Sequence, residues 1–321
     1  MTKEELKIVF FGTPEFAVES LRRLVEGGYN VVAVVTMPDK PAGRGHHLYE
    51  SDVKKYAVSK GIRVLQPEKL KDEAFVETLR SLRADLQIVI AFRMLPEVVW
   101  AMPRLGTFNL HASLLPKYRG AAPINRAVMN GDTETGITTF FLKHEIDTGD
   151  VIQQRSVPIG RQDNVGDVHD RLMTLGADMV LETVDAIIAG TVKAIPQEEM
   201  LTAGEDPTPA PKIFKEDCHI RWTDSTEAVY NQIRGLSPYP AAWTQFVGPD
   251  GKRFDVKIYA TSEPIFRAEA VPGRMTTTIT RLLIDCADGA LKIESLQLAG
   301  KKRMDTDAFL RGFSLEGFHA E

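Results

Sequence analysis

Asn109, His111 and Asp147 are the residues whose types and spacing could do chemistry. The first two lie on the segment Gly106-Thr107-Phe108-Asn109-Leu110-His111, and the third opens the turn Asp147-Thr148-Gly149-Asp150. An imidazole moves a proton near neutral pH, a carboxylate orients that ring, and a carboxamide N–H can hold a negative oxygen. Such a set can take a proton from an amine while holding a developing oxyanion. In a strand over 107–111 the side chains alternate, so Asn109 and His111 share one face while Phe108 and Leu110 turn into packing on the other. Pro116 and Gly120 break the pattern just beyond. The polar pair is thereby placed at the carboxyl end of the strand, where open α/β sheets hold their ligands. A lone His at a strand end more often serves structure than catalysis, and an Asn two residues earlier shifts that balance only a little. The stretch as a whole, rather than the pair, carries the functional reading.

The elements that must position these residues are legible in the apolar pattern. Residues 6–11 are apolar and β-rich, Gly12 ends the run, Thr13 is an expected N-cap, and Pro14 is expected at the first helical position. Val18, Leu21, Leu24 and Val25 recur at helical spacing until Gly27-Gly28, and a second strand follows at Val31 to Thr36. The alternation continues with helices near 52–60 and 71–83 and strands at 63–65, 86–91, 107–111 and 137–142. Strands this uniformly apolar predict a Rossmann-like, doubly wound, mostly parallel α/β sheet covered on both faces. The first turn has one glycine where dinucleotide binders need G-x-G-x-x-G, which disfavours a nicotinamide or flavin cofactor. A long helix is expected over 164–189, with His169 in a structural role. Glu205-Asp206-Pro207-Thr208-Pro209-Ala210-Pro211 is the expected linker between a first domain at 1–204 and a second at 212–321. Beyond it a helix around 225–234 precedes short strands at 243–246, 255–260, 278–284 and 290–298, the texture of a smaller β-rich barrel or sandwich.

Bulk composition narrows the classes. The chain has 321 residues, 43% apolar and 26% charged content, and a net charge of −5, ordinary for a soluble globular protein of two domains. Neither half carries the positive excess that announces a nucleic-acid binder. Cys218 and Cys286 stand far apart with no CxxC or CxxH spacing, so a disulfide framework and a zinc site are both disfavoured and no metal is expected. No signal peptide or membrane span is expected, which points to an intracellular, cytoplasmic protein. Pro38-Asp39-Lys40-Pro41-Ala42-Gly43-Arg44-Gly45-His46-His47 cannot be a regular element. The plainer reading is a solvated loop; the functional one is a basic flap for an anionic partner.

These residues together resemble a known family. Phe10-Phe11-Gly12-Thr13-Pro14-Glu15-Phe16-Ala17, the loop Pro38–Gly45, Asn109-x-His111-x-Ser113-Leu114-Leu115-Pro116-x-Tyr118-Arg119-Gly120-Ala121-Ala122-Pro123-Ile124, and Asp147-Thr148-Gly149-Asp150 are similar to the motifs of the folate-dependent formyltransferases. Ala210-Pro211-Lys212-Ile213, Ile233–Pro240 and Gly300-Lys301-Lys302-Arg303-Met304 extend the resemblance to the methionyl-tRNA formyltransferase family, nearly end to end. It implies formyl transfer from 10-formyltetrahydrofolate to the α-amino group of initiator methionyl-tRNA, through a tetrahedral oxyanion. Asn109 is then the oxyanion donor, His111 a general base or charged stabiliser, and Asp147 the residue that orients the ring. Phe92, Ser113, Leu114, Leu115 and Pro116 are implied folate contacts. Arg44 would meet the acceptor stem, and Lys212, Lys215, Lys301, Lys302 and Arg303 would meet phosphates from a second domain of OB type. A monomer is expected.

Two departures touch the site. The family's Ala-Tyr-Gly is Ala91-Phe92-Arg93 here, which sets a cation beside the expected pteridine pocket, and the usual Gly-Leu before the Asp is Glu145-Ile146. His144 nearby reads as a solvated loop residue or an auxiliary acid. Rival readings keep the folate and change the acceptor to glycinamide ribonucleotide, an amino sugar or water. A further rival is a catalytically silent RNA-binding protein on the same scaffold, which would have no need of the intact trio.

Overall fold

Ile8–Gly12 (β1), Val31–Val35 (β2), Val64–Leu65 (β3), Leu86–Ile90 (β4), Thr107–His111 (β5), Glu134–Phe141 (β6) and Val151–Pro158 (β7) form one sheet in the order β7-β6-β5-β4-β1-β2-β3. This computed structural model describes residues 1–42, 47–201, 204 and 206–321. The pairs β1–β2, β1–β4, β2–β3 and β4–β5 are parallel, and β5–β6 is antiparallel. The expected mostly parallel sheet is what forms. Every residue of β1 and β4 is buried, as central strands covered on both faces require.

One face packs Val9, Phe11, Val35 and Val89 against Phe75, Val76 and Leu79 of the helix Glu73–Ser81. The other receives the helix Val165–Ala189. Gly176 permits its close approach, because a Cβ there would lie 2.6 Å from Ile137 Cδ1 and 2.8 Å from Leu110 Cδ2. Leu110 therefore anchors β5 from behind while Asn109 and His111 keep the opposite face. The start of the first helix departs from expectation. It runs Glu15–Glu26 with Pro14 as N-cap and no side-chain cap, because the extended backbone at Pro14 (ψ 172°) delays the first turn by one residue. The Thr13 hydroxyl is buried without a hydrogen-bond partner among the described residues.

By internal contacts the chain forms two compact units: Met1–Gly120, Gly136–Val157 and His169–Pro209 make one, and Ala121–Thr135, Pro158–Val168 and Ala210–Glu321 the other. In the second unit the helix Thr226–Leu236, capped by the Ser225 hydroxyl accepting from Ala228 N–H, packs on Pro123–Met129. A Cβ at Gly235 would lie 2.5 Å from Met129 Cγ, so that crossing needs glycine. Ala242–Val247 (β8), Arg253–Thr261 (β9), Met275–Thr277 (β10), Leu282–Asp285 (β11), Gly289–Leu298 (β12) and His319–Ala320 (β13) follow the order β10-β11-β12-β9-β8-β13. The two ends approach each other, with Ala320 N–H donating to the Gly273 carbonyl at 2.8 Å and a bridge from Arg274 to His319. The result is the nearly closed antiparallel barrel expected of the β-rich part, filled by Trp222, Phe246, Ile258, Ile284, Ile293 and Leu296. The strand expected over 278–284 begins only at Leu282, and residues 278–281 form a hairpin corner ahead of it. The Thr278 hydroxyl accepts from Arg281 N–H at 3.1 Å and turns the chain between β10 and β11.

Candidate active site

The site is built where β4 and β5 end and where the loop after β6 returns. Left-handed backbone concentrates there: Ala91 (φ 46°) follows β4, Tyr118 (φ 62°) closes the turn after β5, and Asp147 (φ 55°) sits in the loop after β6. Each such residue costs of order 1–3 kcal/mol, and such strain persists where surrounding structure enforces it, as at functional sites.

His111 is 7% exposed and held from both sides. Nε2 lies 2.8 Å from the Tyr118 carbonyl, which can only accept, so this nitrogen carries a proton. Nδ1 lies 3.8 Å from Asp147 Oδ2, beyond hydrogen-bond length but within ion-pair reach. That carboxylate oxygen is fixed by the Gly120 N–H at 2.9 Å. The Phe140 ring stands edge-on to the imidazole at 6.4 Å. Asn109 is half-buried on the same face of β5, roughly 6.6 Å along the strand from His111.

The turn after β5 holds itself together. The Ser113 hydroxyl donates to the Lys117 carbonyl at 2.6 Å, and the Thr138 hydroxyl donates to the Ser113 carbonyl at 2.6 Å. Gln154 Nε2 donates to the Leu115 carbonyl at 2.8 Å. Ser113, Leu115 and Pro116 are buried, Leu115 among Phe140 and Val151, so all three shape the turn from inside. Leu114 and Phe92 are only half-buried, and Phe92 stands edge-on to Phe11 at 5.7 Å. Arg93 donates to the carbonyls of Pro67 and Glu68, and burial pushes its guanidinium below its ordinary pKa. The cation is thus tethered to the loop after β3. His144 is exposed but not isolated, with its ring edge-on to Trp100 at 5.5 Å and Nε2 3.4 Å from Glu97. His169 packs on Phe16 at 5.1 Å, the structural role expected.

Arg44 lies outside the described residues. The segment expected to be irregular instead forms an antiparallel two-strand ribbon, Lys40–Ala42 against His47–Tyr49, and Asp39 at its base accepts from Gln66 Nε2 at 2.8 Å and pairs with Lys54. Lys212, Lys215, Lys301, Lys302 and Arg303 are all exposed on the second unit. Lys215 covers the Trp243 ring at 5.4 Å, Trp243 pairs across strands with Lys257, and Lys257 pairs with Gln297, whose amide donates to the Lys301 carbonyl. Arg303 stacks on Tyr259 at 4.4 Å, and the Tyr259 hydroxyl donates to Gln297. Paired residues share a sheet face, so one face of the barrel joins Lys215 to the Lys301–Arg303 cluster. Lys257, Trp243 and Tyr259 were not singled out from sequence. Their signal is the alternation of Lys257 and Tyr259 along β9, which becomes informative only once the strand pairing is known.

Among the described residues, no three His, Cys, Asp or Glu side chains converge as a metal site, and no helix is long and apolar enough to cross a membrane.

Residues 6–184 match the family described as formyl transferase, and residues 212–314 match the formyl transferase C-terminal domain. Fold and site thus define a folate-dependent formyl-transfer enzyme. Methionyl-tRNA formyltransferase of Bacteroides thetaiotaomicron is 64% identical over 317 residues, 98% of each chain. The chain belongs to the methionyl-tRNA formyltransferase family. Two solved structures share its fold. An N-formyltransferase from Helicobacter canadensis, in complex with folinic acid and dTDP-3-aminofucose, is 19% identical with a TM-score of 0.63, covering 93% of this chain and all of its own. Glycinamide ribonucleotide transformylase 1 from Symbiobacterium toebii is 19% identical with a TM-score of 0.52, covering 60% of this chain and 96% of its own.

Proposed function

We propose that this protein transfers the formyl group of 10-formyltetrahydrofolate to the α-amino group of initiator methionyl-tRNA. The observation that carries the reading is that Asn109 shares a strand face with His111, whose ring is clamped between the Tyr118 carbonyl and the Asp147 carboxylate. The folate supplies an activated formyl carbon. A bond forms from the amine nitrogen to that carbon, the bond from carbon to the folate nitrogen breaks, and the amine's proton leaves with the folate. Asn109 donates to the oxygen that becomes negative. The His111 ring, held at Nε2 by the Tyr118 carbonyl and facing Asp147 with Nδ1, serves as general base or charged stabiliser. Asp147, fixed by the Gly120 N–H, orients that ring.

Phe92 and Leu114 keep surface for the pterin, while Ser113, Leu115 and Pro116 hold the wall in shape. The division into a catalytic domain at 1–204, a linker at 205–211 and a tRNA-binding domain at 212–321 belongs to this reading, as do Arg44 at the acceptor stem and phosphate contacts from Lys212, Lys215, Lys301, Lys302 and Arg303. So do a cytoplasmic location and a monomer. The full-length coverage of the methionyl-tRNA relative favours this acceptor over a free nucleotide, since the nucleotide transformylase spans 60% of the chain.

The test is single-turnover transfer by Asn109→Ala and His111→Ala. Asn109→Ala should lose about 10²–10³-fold in rate, ~2.7–4 kcal/mol, with folate binding retained. His111→Ala should lose about 10²–10⁴-fold. Full rate in His111→Ala would refute the mechanism.

A further inference from the structure

Gln197 lies on a short 3-10 turn, Gln197–Met200, that contains no motif residue, yet its side chain is fully buried and every polar atom is used. Oε1 accepts from Arg119 Nε at 3.0 Å and from Nη2 at 2.8 Å. Nε2 donates to the Asp147 carbonyl at 2.9 Å and to the Gly149 carbonyl at 2.8 Å. A guanidinium only donates and a carbonyl only accepts, so the amide has one possible orientation and no spare capacity. The residues it joins are those that hold the catalytic pair. Arg119 lies between Tyr118, whose carbonyl receives His111 Nε2, and Gly120, whose N–H binds Asp147 Oδ2. The segment itself is fastened to β7, where Val151 and Ile195 exchange backbone hydrogen bonds at 2.8 and 2.9 Å.

We infer that Gln197 is a positioning residue for the reaction: its amide locks the 147–149 loop to the 118–120 turn and so sets the Asp147 carboxylate against the His111 ring. It touches neither substrate nor reacting atoms. The loop it holds contains a left-handed Asp147 and would otherwise relax, withdrawing the carboxylate from a separation that is already 3.8 Å. Misplacement by about 1 Å can cost on the order of 100-fold in rate. The inference rests on the assigned roles of His111 and Asp147.

The experiment is a double-mutant cycle in the full chain with Gln197→Glu and Asp147→Asn, read by single-turnover formyl transfer. Glutamate keeps the size and the acceptor for Arg119 but has no proton for the two carbonyls. Gln197→Glu should reduce the maximal rate by roughly 10–100-fold, with KM for charged tRNA and for folate each changed by less than about threefold. In the Asp147→Asn background the same change should cost less than about threefold, because effects through one unit do not multiply. Gln197→Met, which also releases Arg119, should show the same lack of additivity even if its thermal midpoint falls. Independent, multiplying losses would overturn the positioning role and leave the catalytic assignment standing. A full rate in Asp147→Asn alone would remove both.

Discussion

At the residue scale, catalysis depends on which polar atoms are already committed. Asp147 Oδ2 is held by the Gly120 N–H, and His111 Nε2 is taken by the Tyr118 carbonyl. The two thiols are the opposite case. Burial pushes Cys286 up to about 12 and raises Cys218 as well, so neither offers a thiolate near neutrality. Iodoacetamide at pH 8 should leave both unmodified in the native protein and label both in denaturant, and rapid native labelling would contradict their burial. Strand alternation was enough to put Asn109 and His111 on one face, and the likeness of the whole 109–124 stretch to a family made them site candidates. Gln197 was not legible in the sequence, since its partners lie 50 residues away at Asp147 and 78 away at Arg119, and no local pattern marks a residue whose work is to tie distant loops.

At the scale of elements, the loop after β6 is shaped by one glycine. A Cβ at Gly149 would fall 1.5 Å from the Phe141 carbonyl oxygen, so no other residue fits the return to β7. Lys143 and Asp150 close the loop at its base with a 2.6 Å ion pair. Gly149→Ala should destabilise by about 1–3 kcal/mol, lowering the thermal midpoint by at least about 2 °C, and should depress the transfer rate through Asp147. An unchanged melt and rate would show that the loop tolerates another path. The parallel sheet was readable because buried strands are uniformly apolar, whereas the hairpin at Thr278 was not. There a run rich in β-formers conceals a turn closed by the backbone and hydroxyl of Thr278 on Arg281. The shift of the first helix from Thr13 to Pro14 arose similarly, from a proline whose backbone stayed extended.

At the scale of the whole molecule, a chain of net charge −5 must bind a polyanion through a local surface. The row from Lys215 through Trp243 and Lys257 to Lys301 supplies cations and aromatic faces together. Lys257→Ala should weaken tRNA binding and reduce the slope of log affinity against log salt by about 1, with KM for folate unchanged. An unaltered slope would remove that face from the contact. Whole-chain charge concealed this patch from a reading of composition. The excursions of Ala121–Thr135 and Pro158–Val168 into the second unit were equally hidden, because they depend on contacts far apart in sequence.

The central claim is tested most directly by acceptor-resolved formyl transfer with purified protein, 10-formyltetrahydrofolate, and initiator or elongator methionyl-tRNA. The account predicts rapid formation of formyl-methionyl-tRNA on the initiator and little on the elongator. Folate turnover without that product, or tight tRNA binding with no turnover, would contradict it.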